Sequence, residues 1–242
     1  MVATIHPGQV DGQYADSLTR TLLWDANNGM RITRWGGVIA METSPRIAAA
    51  RNDVVRQFRG FRETKPVPPE WLLWIDSDMV WTPEDFEKAM GIVEENDDIK
   101  ILGGLCFGGG RSARAFPTLY VVEGEPGNYY STVPKRYPED ELVEVSATGS
   151  AWVLIHHTVF DELYDRLKEV NGKKNTMIWY RDGTQEGQEF GEDIWFCLAA
   201  GGAGFPTYVH TGIEIGHMKR FNLNADYYKE KVRDVADSPT LD

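Results

Sequence analysis

The stretch Trp71-Leu72-Leu73-Trp74-Ile75-Asp76-Ser77-Asp78-Met79 decides the architecture. An unbroken apolar run of strand length suits a central strand buried on both faces. It lacks the alternation of a strand with one wet side. The run ends in two carboxylates two positions apart, which point the same way while the chain stays extended. Open α/β sheets bind ligands beyond the carboxyl ends of their strands. Two like charges there need a counter-charge, or one of them takes up a proton. A hard divalent cation, Mn2+ or Mg2+, with phosphate oxygens completing its shell, meets that need. The plainer alternative has one aspartate capping the turn and the other solvated.

Outward from this strand, strand-like and helix-like patterns alternate. Residues 1–6 read as a strand and 13–26 as a helix. Residues 31–41 read as a strand, and Ser44-Pro45 opens a helix carrying Ile47, Val54, Val55 and Phe58. Thr82-Pro83-Glu84-Asp85 starts another, with a cap, a proline at the first position and acids in the first turn. Strands are expected over 99–105, 117–122, 142–155 and 206–215, and helices over 158–170, 192–200 and 224–236. The pattern predicts an α/β fold with a central mixed, mostly parallel sheet flanked by helices.

Composition narrows the function. The 242 residues suit one large domain. Twenty-five basic against 37 acidic residues leave a net charge of −12, which repels phosphate backbones, so no nucleic-acid partner is expected. Two cysteines, Cys106 and Cys197, build neither a zinc site nor a disulfide framework, and fit a reducing, cytoplasmic setting. No apolar run approaches the roughly 18 residues of a membrane span, and the first residues lack the pattern of a signal peptide.

Further residues carry possible chemistry. Gly191-Glu192-Asp193 places acids at a helix start, favourable with the helix dipole and suited to a general base. His217 follows a strand and precedes Lys219-Arg220, and an imidazole suits Mn2+ as a further ligand. Arg51, on the small-residue helix Ile47-Ala48-Ala49-Ala50-Arg51-Asn52, can meet a base or phosphates. Trp71, Trp74 and Trp81 read as core, Trp152 and Trp179 as acceptor contacts. His156-His157 reads as a strand end. Gly108-Gly109-Gly110-Arg111 lacks the ending of a phosphate-binding loop, which disfavours an ATPase.

In this order the pieces resemble the GT-A nucleotide-sugar glycosyltransferases, specifically the soluble family-2-like ones of bacteria and bacteriophages. The resemblance runs over roughly 1–220. It is carried by His6-Pro7-Gly8, Ala50-Arg51-Asn52, Ile75-Asp76-Ser77-Asp78, Gly103-Gly104-Leu105, Ala147-Thr148-Gly149-Ser150-Ala151, Gly191-Glu192-Asp193 and Gly216-His217. It implies a single domain, with a nucleotide-binding half at 1–105, an acceptor and metal half at 106–223, and a C-terminal helix and tail at 224–242. Thr4, His6, Arg51, Asp76, Ser77 and Lys219 are then expected around the nucleotide and donor sugar. Asp78 and His217, with Asp76, are expected to hold Mn2+ or Mg2+. Asp193, with Glu192 beside it, matches the acidic pair whose aspartate is the base of inverting members. Lys219 or Arg220 would assist from a loop at 218–224 that closes over the donor.

The activity so implied is metal-dependent transfer of a sugar from a UDP- or GDP-type nucleoside-diphosphate sugar, UDP favoured, to an acceptor hydroxyl of a protein or glycan. The setting implied is a bacterial or phage-infected cytoplasm. A sugar nucleotidyltransferase would want a basic loop after the first strand, and residues 7–12 contain no lysine or arginine. A non-catalytic GT-A-like binding module is the remaining alternative. The joint presence of Asp76, Asp78, Asp193 and His217 argues against it.

Overall fold

The computed structural model describes residues 1–43, 46–109, 115–123, 130–185 and 188–220. The strands of its main sheet are β1 (Val2–His6), β2 (Val38–Glu42), β3 (Trp71–Ile75), β4 (Ile101–Leu105), β5 (Leu142–Val145), β6 (Trp152–His156) and β7 (Thr207–Glu214). The helices are α1 (Gly12–Asn27), α2 (Ile47–Glu63), α3 (Pro83–Glu95), α4 (His157–Leu167) and α5 (Glu192–Gly202). The sheet order is β5-β7-β4-β6-β3-β1-β2. β1, β2, β3, β4 and β7 run one way, and β5 and β6 run the other.

β3 has neighbours on both edges and both faces, which explains its unbroken apolar run. Leu72 and Trp74 face one core with Val54, Val55 and Phe58 of α2, Phe160 of α4 and Phe196 of α5. Leu73 and Ile75 face the other with Tyr14 of α1 and Phe86, Ala89 and Val93 of α3. Each such side chain, fully buried, contributes roughly 1.5–3 kcal/mol. At Gly104 of β4 a Cβ would lie 2.8 Å from Ile215 Cγ1 and 3.1 Å from Trp152, so only glycine lets these side chains rest on that strand.

Two expected strands are interrupted. Within 31–41, Thr33–Trp35 forms a 3-10 turn. The buried Asp25 carboxylate draws it in, accepting from Ile32 N, Thr33 N and Thr33 Oγ1 at 2.7–2.9 Å. The strand starts only at Val38, after Gly36 and Gly37 turn the chain with φ of 86° and 85°. The stretch 142–155 divides because Ala147–Thr148 leaves the main sheet to pair with Leu119 and Tyr120. Thr82 forms the expected capping box with Asp85. Ser44-Pro45, Gly110-Arg111 and the expected helix at 224–236 lie outside the described residues. Among the described residues no helix is long and apolar enough to cross a membrane.

Candidate active site

After Ile75 the chain does not stay extended. It turns, with Met79 N donating to Asp76 O at 3.1 Å. Asp76 N donates to Ala151 O at 2.8 Å, tying the turn to the 147–151 segment. The turn sends the two carboxylates to different partners.

Asp76 meets Arg51. The guanidinium is 4% exposed and spends its donors on three acceptors: Asp76 Oδ1 at 3.0 Å, Glu192 Oε1 at 3.2 Å and the Ser150 carbonyl at 3.4 Å. Its planar face lies 5.0 Å from the Trp74 ring and 5.8 Å from that of Tyr180. Burial alone would make Arg51 easier to deprotonate, but Asp76 and Glu192 reverse that and lock the charge on. Burial raises the Asp76 pKa above the ordinary carboxylate value, with Arg51 opposing. Arg51 thus joins the end of β3 to the start of α5, 141 positions away from it in sequence at Glu192.

Asp78 meets His217. The segment Gly216–His217 pairs antiparallel with Met79–Val80, and Met218 N donates to Asp78 O at 2.8 Å. His217 Nδ1 lies 2.7 Å from the Phe107 carbonyl, so that nitrogen carries hydrogen and Nε2 faces Asp78 Oδ2 at 3.0 Å. Lys219 Nζ stands 3.6 Å from the same oxygen. Burial alone would push Asp78 up, yet the hydrogen bond and charge of His217, helped by Lys219, hold it below its ordinary value. The same hydrogen bond raises the His217 pKa against the effect of burial.

Asp193, in the first turn of α5, is pushed up to about 6 by burial and by the charge of Glu192. Oδ1 accepts from Ile194 N at 2.8 Å, and a Cβ on Gly149 would lie 3.6 Å from Oδ2, so the 147–151 segment passes close over it. A carboxylate with a pKa near neutrality is suited to general base work.

The cleft at the carboxyl ends of β1 and β3 has a volume of about 820 Å3 and is lined by Ile5, His6, Pro7, Arg51, Asp76, Ser77, Asp78, Met218, Lys219 and Arg220, among others. It therefore gathers His6, Arg51, Asp76, Ser77, Asp78 and Lys219 of the expected donor set. Thr4 is buried within β1 instead. Glu192 reaches the group through Arg51. Trp74 and Trp81 are core, as expected. Trp152 and Trp179 are also fully buried, Trp179 donating to the Phe160 carbonyl, so neither meets an acceptor. Cys106 and Cys197 are buried free thiols. Ser150, Tyr180 and the Phe107 carbonyl were not legible as partners, because nothing in their local sequence shows which distant charge they face.

Among the described residues no three acidic, histidine or cysteine side chains converge as a metal site. The Asp78–His217 pair nevertheless fits a divalent cation. It offers one carboxylate oxygen and one imidazole nitrogen 3.0 Å apart, with the far ring nitrogen held by a carbonyl.

No family model and no curated protein matches the chain. Among solved structures, A197 from STIV superposes with a TM-score of 0.53 at 15% identity, covering 90% of this chain and 85% of that one. GalNAc-T7, solved with UDP, GalNAc and Mn2+, superposes with a TM-score of 0.52 at 14% identity, covering 97% of this chain. The fold is the GT-A glycosyltransferase fold. This GT-A chain spans about half, 47%, of the GalNAc-T7 chain. At such identities the shared property is architecture, and the β3 carboxyl end, with Asp76 and Asp78, is where that architecture opens its cleft.

Proposed function

We propose that the chain is a metal-dependent glycosyltransferase that moves a sugar from a nucleoside-diphosphate sugar, UDP-linked by preference, to an acceptor hydroxyl. The observation that carries this reading is the Asp78–His217 donor pair, 3.0 Å apart, with Asp78 lining the cleft beyond β3. The UDP and Mn2+ in the GalNAc-T7 structure support it from outside the chain. In this reading Asp78 and His217 hold Mn2+ or Mg2+, with Lys219 contributing positive charge beside them. The bound ion supplies charge against the departing diphosphate. Asp76, oriented by Arg51, accepts from hydroxyls of the ribose or donor sugar, while His6 and Ser77 line the nucleotide. Asp193 takes the proton of the attacking hydroxyl if the reaction inverts the anomeric centre. Acceptors are a protein or a glycan.

The decisive test titrates UDP and GDP, each with and without Mn2+, into the wild-type chain and Asp78→Ala. The reading expects binding that requires both the metal and Asp78. Absence of binding by either nucleotide to folded protein overturns it.

A further inference from the structure

A second cavity lies at the other end of the main sheet, where β1 and β3 begin rather than end. Its volume of about 500 Å3 falls in the usual range of small-molecule sites. It shares no lining residue with the donor cleft. The floor is the sheet face that carries Val2, Leu73 and Leu154, and α3 supplies Phe86 and Met90 as a wall. The connection from α1 to β2 forms one lip, and the connection from α2 to β3 forms the other.

Both lips are anchored. The Asp25 carboxylate holds Ile32 and Thr33 by their backbone N–H groups. Trp35 Nε1 donates to the Val67 carbonyl at 2.9 Å and so ties one lip to the other. Arg62 donates to the Pro69 carbonyl. The cavity is thus preformed. Each lip also turns a large apolar side chain outward, Met30 at 49% exposure and Val67 at 61%. Met30 sits at φ 55°, a region that residues with a side chain seldom enter.

The rim carries more positive than negative charge. Arg31 is balanced by Glu87 and Glu94 at 2.8 and 3.0 Å. Glu70, the other acid of the rim, acts on Arg62. Arg34 has no carboxylate partner among the described residues, and its guanidinium carbon lies 5.6 Å from the centre of the Trp35 ring. Inside, Trp35, Trp71 and Phe86 present aromatic rings, and Met30 and Met90 add thioethers, which make favourable contacts with rings. We infer that this cavity binds a small aromatic anion, with its ring between the two lips and its charged group at Arg34. Rings and thioethers favour a planar aromatic body over an aliphatic chain, and the guanidinium favours an oxyanion over a neutral head. The inference is independent of the glycosyltransferase reading.

The test is a fluorescence titration with two dyes, anilinonaphthalene sulfonate and phenylnaphthylamine, which share their rings and differ in the sulfonate. We expect one sulfonate dye per chain, bound about tenfold more tightly than the neutral dye. Arg34→Gln should abolish that preference. Val67→Asp, at an exposed position, should weaken the sulfonate dye about tenfold by setting a negative charge on the lip. Near-ultraviolet circular dichroism establishes that both variants keep the native packing. Equal affinity for the two dyes overturns the inference, as does a preference that survives in Arg34→Gln. Undiminished binding of the sulfonate dye to Val67→Asp places the dye elsewhere and overturns it too. Displacement of the dye by decanoate at lower concentration than by naphthoate overturns the aromatic assignment.

Discussion

Asp76 and Asp78 leave the same strand two positions apart, yet they sit in opposite settings. Asp76 faces inward to a buried arginine and is 31% exposed; Asp78 faces an imidazole and a lysine at the cleft mouth and is 41% exposed. Burial prevails at Asp76 and raises its pKa, whereas the bond from His217 prevails at Asp78 and lowers it. One arm is anchored to a buried arginine. The other pairs a carboxylate oxygen with an imidazole nitrogen 3.0 Å away. The lesson is that two acids two positions apart need not share a ligand, because a single turn assigns each its own counter-charge.

The comparison can be broken from the closed side first. Removing Arg51 by Arg51→Met strands Asp76 and Glu192 without their shared cation. We expect a loss of about 3 kcal/mol in unfolding free energy by denaturant titration. A loss below about 1 kcal/mol would mean the clamp is ornamental. From the open side, Asp78→Ala should cost little stability, since its pair is half-exposed. It should instead weaken Mn2+-dependent UDP binding by about 100-fold, read by calorimetry.

Asp193→Asn comes next. The folded pKa of about 6 stands above the ordinary 3.8, so the folded state holds its proton more tightly than the unfolded chain. Stability is therefore lost as pH rises from about 4 to about 6, and at pH 7 the charged group costs about 3 kcal/mol. The asparagine variant should be more stable by that amount at pH 7 and equal to wild type near pH 3, while losing transfer if Asp193 is the base. Thermal melts at the two pH values decide it. The smallest effect concerns His217. Its pKa is raised by Asp78, and a metal needs the neutral ring, so protons compete. Mn2+ affinity should rise with pH, by up to about tenfold per unit through the range where the ring titrates, and His217→Gln should flatten that slope.

The fold was legible because β3 carries it. An apolar run of only five residues with no alternation fits a strand buried on both faces, and in this chain its acidic end lies at the cleft. Thr82 and its acids likewise announced α3 through local chemistry alone. Residues 31–41 misled because a distant carboxylate, Asp25, captures the backbone there and outweighs the β-propensity of the segment. The acids and His217 of the candidate site stand out in the sequence, but their pairing does not. That Arg51 is spent on Asp76 and Glu192 depends on contacts 25 and 141 positions away. Trp152 and Trp179 misled because a tryptophan reads the same at a cleft edge and in a core.

The antiparallel step between Met79–Val80 and Gly216–His217 also fixes an order of events. As the chain emerges during synthesis, the acidic turn at 76–78 exists long before residue 217 does. A nascent chain halted before Gly216 has the acids without the imidazole that completes the pair. Metal-dependent nucleotide binding, if it belongs to this pair, is therefore a report that synthesis has passed residue 217 and that β7 has docked.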